Sequence, residues 1–247
     1  MNRRHVLIGV EGNHDQAFLK RVLRKLLGLT EWDKKLDTLD PLWRKFIPTY
    51  PAKGDYYKRL DMPSILYKDD LSIAIYVGEG SNLRSNLIDK LSNLDTNAFS
   101  AFAIIADADN KTADEISEYY RDGLQEYFPN FPNQAGAVIK GSPNLGIYIL
   151  PNNSDQGVLD TLLCECGEIA YPIYMQRAKD YINQFSEIKW KRFDKDKATI
   201  ATVVSVLKPG QANTPSIAGD KWINDNTMQQ IPTIRTLVDF LRDLIEI

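Results

Sequence analysis

Two stretches of this chain are apolar without interruption and then stop on carboxylates. His5-Val-Leu-Ile-Gly-Val10 runs into Glu11-Gly-Asn-His-Asp15, and Ala101-Phe-Ala-Ile-Ile-Ala106 runs into Asp107-Ala-Asp109. A strand with one wet face alternates polar and apolar residues. A strand covered on both faces reads as a continuous apolar run and belongs to a sheet flanked by helices. In open α/β sheets the ligand crevice lies beyond the carboxyl ends of the strands. Carboxylates gathered there repel one another unless a cation shares them. The pattern therefore implies a divalent-metal site and phosphate chemistry.

The rest of the chain keeps the α/β rhythm. After the first strand, a stripe of Phe18, Leu19, Val22, Leu23, Leu26 and Leu27 predicts a helix over about 15–27, stopped by Gly28. Residues 30–70, broken by Pro41, Pro48, Pro51 and Pro63 and rich in aromatics, read as an insertion of one or two short helices and irregular loops. Leu71–Val77 is a second strand, followed by a helix through Leu94. Ala101–Ala106 is a third, followed by a helix over 113–128 with Thr112 and Glu115 at capping-box spacing. Leu145–Leu150 is a fourth, with a helix near 158–166 after it. The order predicts a mainly parallel central sheet flanked by helices, with right-handed crossovers. Beyond residue 170 the pattern is helical (173–185, 197–207 and 234–245), with a polar loop over 211–226. Two regions are expected: an α/β domain over 1–167, and a helical C-terminal region over 168–247 packed on it.

Composition narrows the class. A formal charge of −3 with 30 Lys and Arg speaks against a generally basic protein while leaving room for local basic surfaces. Cys164 and Cys166 form no disulfide framework and are expected to pack as small apolar residues. The apolar run after Arg3 and Arg4 is too short for a signal peptide, and no stretch is long enough to span a bilayer. The expectation is a cytoplasmic protein without membrane contact.

In an extended chain, side chains two apart share a face, so Asp107 and Asp109 aim together if the strand geometry persists past Ala106. An all-oxygen set suits Mg²⁺, with Mn²⁺ as a substitute, and Mg²⁺ commonly takes one or two carboxylates plus water and substrate phosphate. Glu11, from a neighbouring strand end, is placed to bind the same ion or to move a proton. Asp15 is a further ligand, although at a helix start it also suits a cap. Asp160, with Glu165 as the other choice, is a candidate for a second metal position, and both also suit a solvent-facing helix.

These residues resemble the Toprim domain. Glu11 after the first strand and Asp107-Ala-Asp109 after the third match its pattern, and Gly78-Glu-Gly80 matches its glycine-bearing turn. The resemblance covers about residues 5–165. The Glu-Gly-X-X-Asp form is closer to the OLD-like nucleases than to the topoisomerases. Gly146–Asn153 followed by Gly157-Val-Leu-Asp160 is similar to a group of small Toprim-related proteins, which typically have Glu where this chain has Asp160. The resemblance implies a Toprim-like fold, Mg²⁺ binding, and the making or breaking of phosphodiester bonds. It also implies a catalytic lysine at Lys197 that neutralises charge on phosphate, although the position equally suits an ordinary helix-surface lysine. OLD-like nucleases often work with an ATPase domain. This chain has no P-loop, so a separate ATPase partner is expected from resemblance alone.

Lys189-Trp-Lys-Arg192 interleaves cations with an aromatic ring, as single-stranded nucleic-acid sites do, and also suits a solvated helix edge. Lys53, Lys58 and Arg59 beside Tyr56 and Tyr57 form a second such patch. Ile147 stands where a P-loop needs Lys, Leu83 replaces the third glycine of a dinucleotide fingerprint, and two histidines are too few for a His-rich metal site. The leading expectation is a Mg²⁺-dependent enzyme cleaving phosphodiesters in DNA or RNA. The alternatives are a Toprim-derived regulatory or binding module without efficient catalysis, and a hydrolase of small phosphoesters.

Overall fold

A computed structural model describes residues 3–33, 35, 38–47 and 62–247. Its centre is a seven-stranded sheet of order β2-β3-β4-β1-β5-β7-β6. The four middle strands are β4 (Leu71–Val77), β1 (Arg4–Val10), β5 (Ala101–Asp107) and β7 (Asn144–Leu150), all parallel. Every residue of β4 and β7 is buried, as the uninterrupted apolar runs require. The edges are antiparallel. β2 (Thr30–Glu31) pairs with β3 (Ser64–Lys68) on one side, and β6 (Val138–Ile139) pairs with β7 on the other. Two-residue edge strands leave little backbone free to template further pairing.

Alternation divides the sheet into two covered faces. Val6, Ile8, Val10, Ala103, Ile105, Tyr148 and Leu150 face α1 (Asn13–Leu26), α4 (Leu159–Ala170), α6 (Asp194–Leu207) and α9 (Pro232–Ile245) in one core. Leu7, Phe102, Ile104, Ile147 and Ile149 face α2 (Leu83–Leu91), α3 (Ala113–Leu124) and the insertion in the other. The C-terminal helices share the first core with the strands. Gly146 matters here: a Cβ would stand 2.9 Å from the Phe240 ring, so its absence lets α9 lie flat on β7. Leu237, Leu241 and Leu244 are buried in that contact, each contributing about 1.5–3 kcal/mol by burial.

The topology opens a crevice between β1 and β5. β1 feeds α1 on the first face, whereas its neighbour β5 feeds α3 on the second. Where adjacent strands send their helices to opposite faces, the loops part at the carboxyl ends. Glu11 and Asp107 stand at that point.

Several expectations need correction. Residues 64–68 are not irregular loop but β3, joined to β4 by a two-residue turn with Asp69 at φ +51°. Part of the insertion docks tightly: Trp43, in a 3-10 turn over Trp43–Phe46, is fully buried and donates its indole N–H to Ser72 Oγ at 2.6 Å. The polar stretch 211–226 is not all loop. It holds α7 (Asn213–Gly219) and the start of α8 (Asp225–Gln230). The helix after β5 ends at Leu124 rather than 128, and the helix over Pro172–Ile182 (α5) stops three residues short of 185. The Thr112–Glu115 capping box forms, with Glu115 N donating to Thr112 Oγ1 at 3.2 Å and Thr112 N to Glu115 Oε2 at 2.7 Å. Cys164 and Cys166 are buried and free. Among the described residues, no helix is long and apolar enough to cross a membrane.

Candidate active site

Glu11 leaves β1 half-buried, and the Tyr120 hydroxyl donates to its Oε1 at 3.4 Å from the inner face of α3. Burial, and then the charges of Asp15 and Asp109, push its carboxyl up to about 7. Gly12 precedes the first turn of α1 in extended conformation (φ −137°) and donates its N–H to Asp15 Oδ2 at 2.7 Å. Asp15, the third residue of α1, thus accepts from the backbone of the N-cap Gly12, one form of the capping role that the sequence allowed. It is also only 9% exposed. Burial drives its carboxyl up to about 6, with the Asp160 charge adding to the rise and the Gly12 N–H opposing it.

Asp107 is the last residue of β5. The free N–H of Leu159, at the start of α4, donates to its Oδ1 at 2.8 Å. That bond fixes the carboxylate, but burial and the charges of Asp15, Glu11 and Asp109 still hold it well above the usual carboxylate range. Asp109 departs from expectation. Extended geometry ends at Asp107, and Asp109 is left-handed, at φ +51°. Its N–H donates to Gly157 O at 2.8 Å, and the residue is exposed. Asp tolerates this conformation better than most residues. The two aspartates thus influence each other electrostatically without sharing one strand face.

A cavity of about 530 Å³ opens beside these groups, lined among others by His14, Asp15, Asp107, Asp160, Lys197 and Asn213. Asp160, in the first turn of α4, is 7% exposed, and burial raises its carboxyl while His14 and Lys197 oppose the rise. It is not the solvent-facing residue that a helix position suggests. Lys197 is exposed in the first turn of α6, at the cavity's edge. The structure thus gathers Glu11, Asp15, Asp107, Asp109, Asp160 and Lys197 at one end of the sheet, though Glu11 and Asp109 lie outside the cavity wall. Glu165 is exposed on α4 and takes no part in lining it.

Trp190 is half-buried and spends its indole N–H on Phe185 O at 3.4 Å, while Lys189, Lys191 and Arg192 are exposed around it. Lys53, Tyr56, Tyr57, Lys58 and Arg59 lie outside the described residues. Three contributors escaped the sequence reading. Tyr120 lies 109 positions from the carboxylate it touches. His14 is a cavity-lining neighbour of Asp160. Asp196 accepts from Thr161 Oγ1 at 2.9 Å and so ties the start of α6 to the start of α4. Only His14, beside Asp15 in the Glu11–Asp15 run, carried a local signal.

The comparisons with known proteins concern the whole chain. A family model, described as "Protein of unknown function (DUF3226)", matches residues 5–246. The chain belongs to that family. No curated protein matches it. Among solved structures, it is similar to the crystal structure of hypothetical protein PH0156 from Pyrococcus horikoshii OT3, with 19% identity and a TM-score of 0.54. The match covers 98% of this chain and 95% of that one, and it shows a shared mixed α/β fold.

The donor set has the right chemistry for a hard divalent cation, since it is all oxygen and its charges are unneutralised. Among the described residues, no three Asp, Glu, His or Cys side chains stand close enough to hold an ion unaided. Mg²⁺ tolerates that arrangement, because one or two carboxylates suffice when water and substrate phosphate complete the shell.

Proposed function

We propose that this protein is a Toprim-like, Mg²⁺-dependent enzyme that cleaves phosphodiester bonds in nucleic acid. One observation carries the reading. Carboxylates from two adjacent parallel strand ends lie at the sheet's switch point, where burial first and then one another's charges raise them above the ordinary range. Such crowding costs stability beyond what the contacts of Asp15 with Gly12 and Asp107 with Leu159 require, and it suits a cation that arrives with its substrate.

In this reading Asp107 and Asp109 hold the ion, with Asp15 as a further ligand and Asp160 at a second position. A bound divalent ion polarises the phosphoryl oxygen and supplies activated water. Asp107 is kept in place by the Leu159 N–H. Glu11, titrating near neutrality, is suited to take or give a proton at Oε1, with the Tyr120 hydroxyl orienting that oxygen. Lys197 sets a positive charge at the cavity edge, facing the carboxylates across the space a phosphate would fill.

A regulatory module that binds without turnover is the second reading, favoured by the lack of a ready three-ligand cluster among the described residues. Incubation of single-stranded, duplex and supercoiled substrates with Mg²⁺ or Mn²⁺ separates the two. Cleavage lost in Asp107→Asn supports the enzyme. Metal binding by calorimetry without cleavage supports the module, and cleavage that survives the substitution sinks the site assignment.

A further inference from the structure

Three hydrogen bonds run between the loop after β5 and the segment that leads into α4. Leu159 N donates to Asp107 Oδ1 at 2.8 Å, Asp109 N donates to Gly157 O at 2.8 Å, and Gln156 Nε2 donates to Asn110 O at 2.7 Å. The last one leaves the Gln156 carbonyl oxygen pointing outward, where it accepts from Arg192 Nη1. A single side chain therefore links an exposed guanidinium to the loop that carries Asp107 and Asp109. Arg192 also lies over the Phe193 ring, 5.3 Å from its centroid; among the described residues it makes no ion pair with a carboxylate and no further hydrogen bond.

The same holds along the run that contains it. Lys189, Lys191 and Lys197 likewise have no ion pair with a carboxylate among the described residues. The acids interspersed with them are spent on hydrogen bonds. Asp194 Oδ2 accepts from Lys191 N at 2.8 Å, and Asp196 Oδ2 accepts from Thr161 Oγ1. Other cations are paired, as at Lys20 and Arg24 with Glu31, or Lys208 with Asp220. In a chain of net charge −3, a strip of cations beside an acidic crevice offers a complementary surface to an anion.

We propose that Arg192, positioned by Gln156, forms a rim subsite for the backbone phosphate next to the one held at the acidic crevice. The ligand it favours is then a polynucleotide strand rather than a small phosphoester with one phosphate, because such an ester cannot occupy both positions. This rests on the phosphodiester reading above and assigns that site its substrate class. Gln156 is the positioning residue. It holds the planar fork of Arg192 in one orientation, so less freedom is lost when phosphate binds.

The test is fluorescence anisotropy of a labelled twelve-nucleotide single strand in Ca²⁺, titrated with salt, alongside hydrolysis of bis(p-nitrophenyl) phosphate in Mn²⁺. Arg192→Gln is expected to weaken oligonucleotide binding about five-fold and to reduce the magnitude of the salt slope by about 0.7, the value for one phosphate contact on a single strand. Arg192→Lys should restore the slope but only part of the affinity. Gln156→Ala should weaken binding about two- to three-fold with the slope unchanged, since the charge remains. A merely structural link would lower the thermal midpoint and leave the slope alone. Wild-type affinity and slope in Arg192→Gln overturn the subsite, as does failure of the wild type to bind the strand at all. Small-diester turnover that is lost in Asp107→Asn would still stand in either case and preserve the reading of the crevice. Arg192-dependent binding without any turnover would instead keep the subsite and remove the catalysis.

Discussion

The two ends of the central sheet handle charge in opposite ways. At the amino end, charges are matched. Arg4 meets Asp70 at 3.0 Å and donates to Ile245 O, Lys140 meets Asp243 at 2.8 Å, and beside these ion pairs His5 Nε2 and Asp40 Oδ2 share a hydrogen bond of 2.8 Å. At the carboxyl end, Glu11, Asp15, Asp107, Asp109 and Asp160 gather with no ion pair among the described residues. One end fastens the insertion and the C-terminal helix to the strands. The other stores repulsion. Matched charge reads as architecture and unmatched like charge as a site awaiting its counter-ion, and that contrast can be tested at each end.

The largest expected effect lies at Asp107. Asp107→Asn keeps an oxygen to accept the Leu159 N–H, so the loop should hold. Metal-dependent cleavage should fall by about a hundred-fold or more, the loss expected when a metal's charge stabilisation is removed. Without metal at pH 8 the same variant should be more stable than wild type, because one of several crowded charges is gone. Thermal melts and a cleavage assay on the same preparation check both. Lower stability together with lower activity would mean that Asp107 is architectural, and the contrast between the ends would fail.

Next in size is the pH dependence of the metal-free protein. Glu11 rises from 4.5 to about 7 and Asp15 from 3.8 to about 6 on folding. The folded state thus holds protons that the unfolded chain releases. Their stabilisation is fully present below the unfolded values and is lost as pH rises through about 6 and 7. For Glu11 alone the shift corresponds to on the order of 3 kcal/mol. The melting temperature should therefore fall between pH 5 and pH 8, and Mg²⁺ should raise it more at pH 8 than at pH 5. A flat profile would show that the crowding is relieved without a cation. A smaller effect is expected at Lys197, where Lys197→Met should slow cleavage about ten-fold while metal affinity is kept, as fits an exposed rather than buried stabilising charge.

How much of this was legible in the sequence follows from how local each signal is. β1 and β5 and their terminal carboxylates could be read because burial on both faces leaves an unbroken apolar run. The Thr112–Glu115 cap could be read because its partners are three residues apart. β3 was hidden by the prolines and aromatics around it, and its five residues declare themselves only through pairing with β4. α7 and α8 carry no long apolar stripe. α8 starts because Asn224 Oδ1 accepts from Asn226 N and Thr227 N, and α7 is held by buried Ile217 and by Ser216, whose hydroxyl receives the Trp222 indole N–H. Within the site, the carboxylates were visible as residues but their grouping was not. The left-handed turn at Asp109, the Tyr120 contact and the Gln156 bridge depend on segments distant in sequence.

The smallest expected effect tests the amino end. Asp40 lies in the insertion, and its Oδ2 meets His5 Nε2 at the start of β1 while its Oδ1 accepts from Leu42 N at 3.0 Å. Asp40→Ala leaves both partners without that acceptor. The cost should be about 1–2 kcal/mol, or about 2–8 °C in melting temperature for a chain of this size. Nothing links this pair to the crevice at the opposite end of β1, so metal affinity measured by calorimetry should stay within about two-fold of wild type, as additivity predicts for well-separated sites. A loss of metal affinity comparable to that in Asp107→Asn would show that the two ends are coupled through β1. The insertion would then be part of the site's machinery rather than its scaffold.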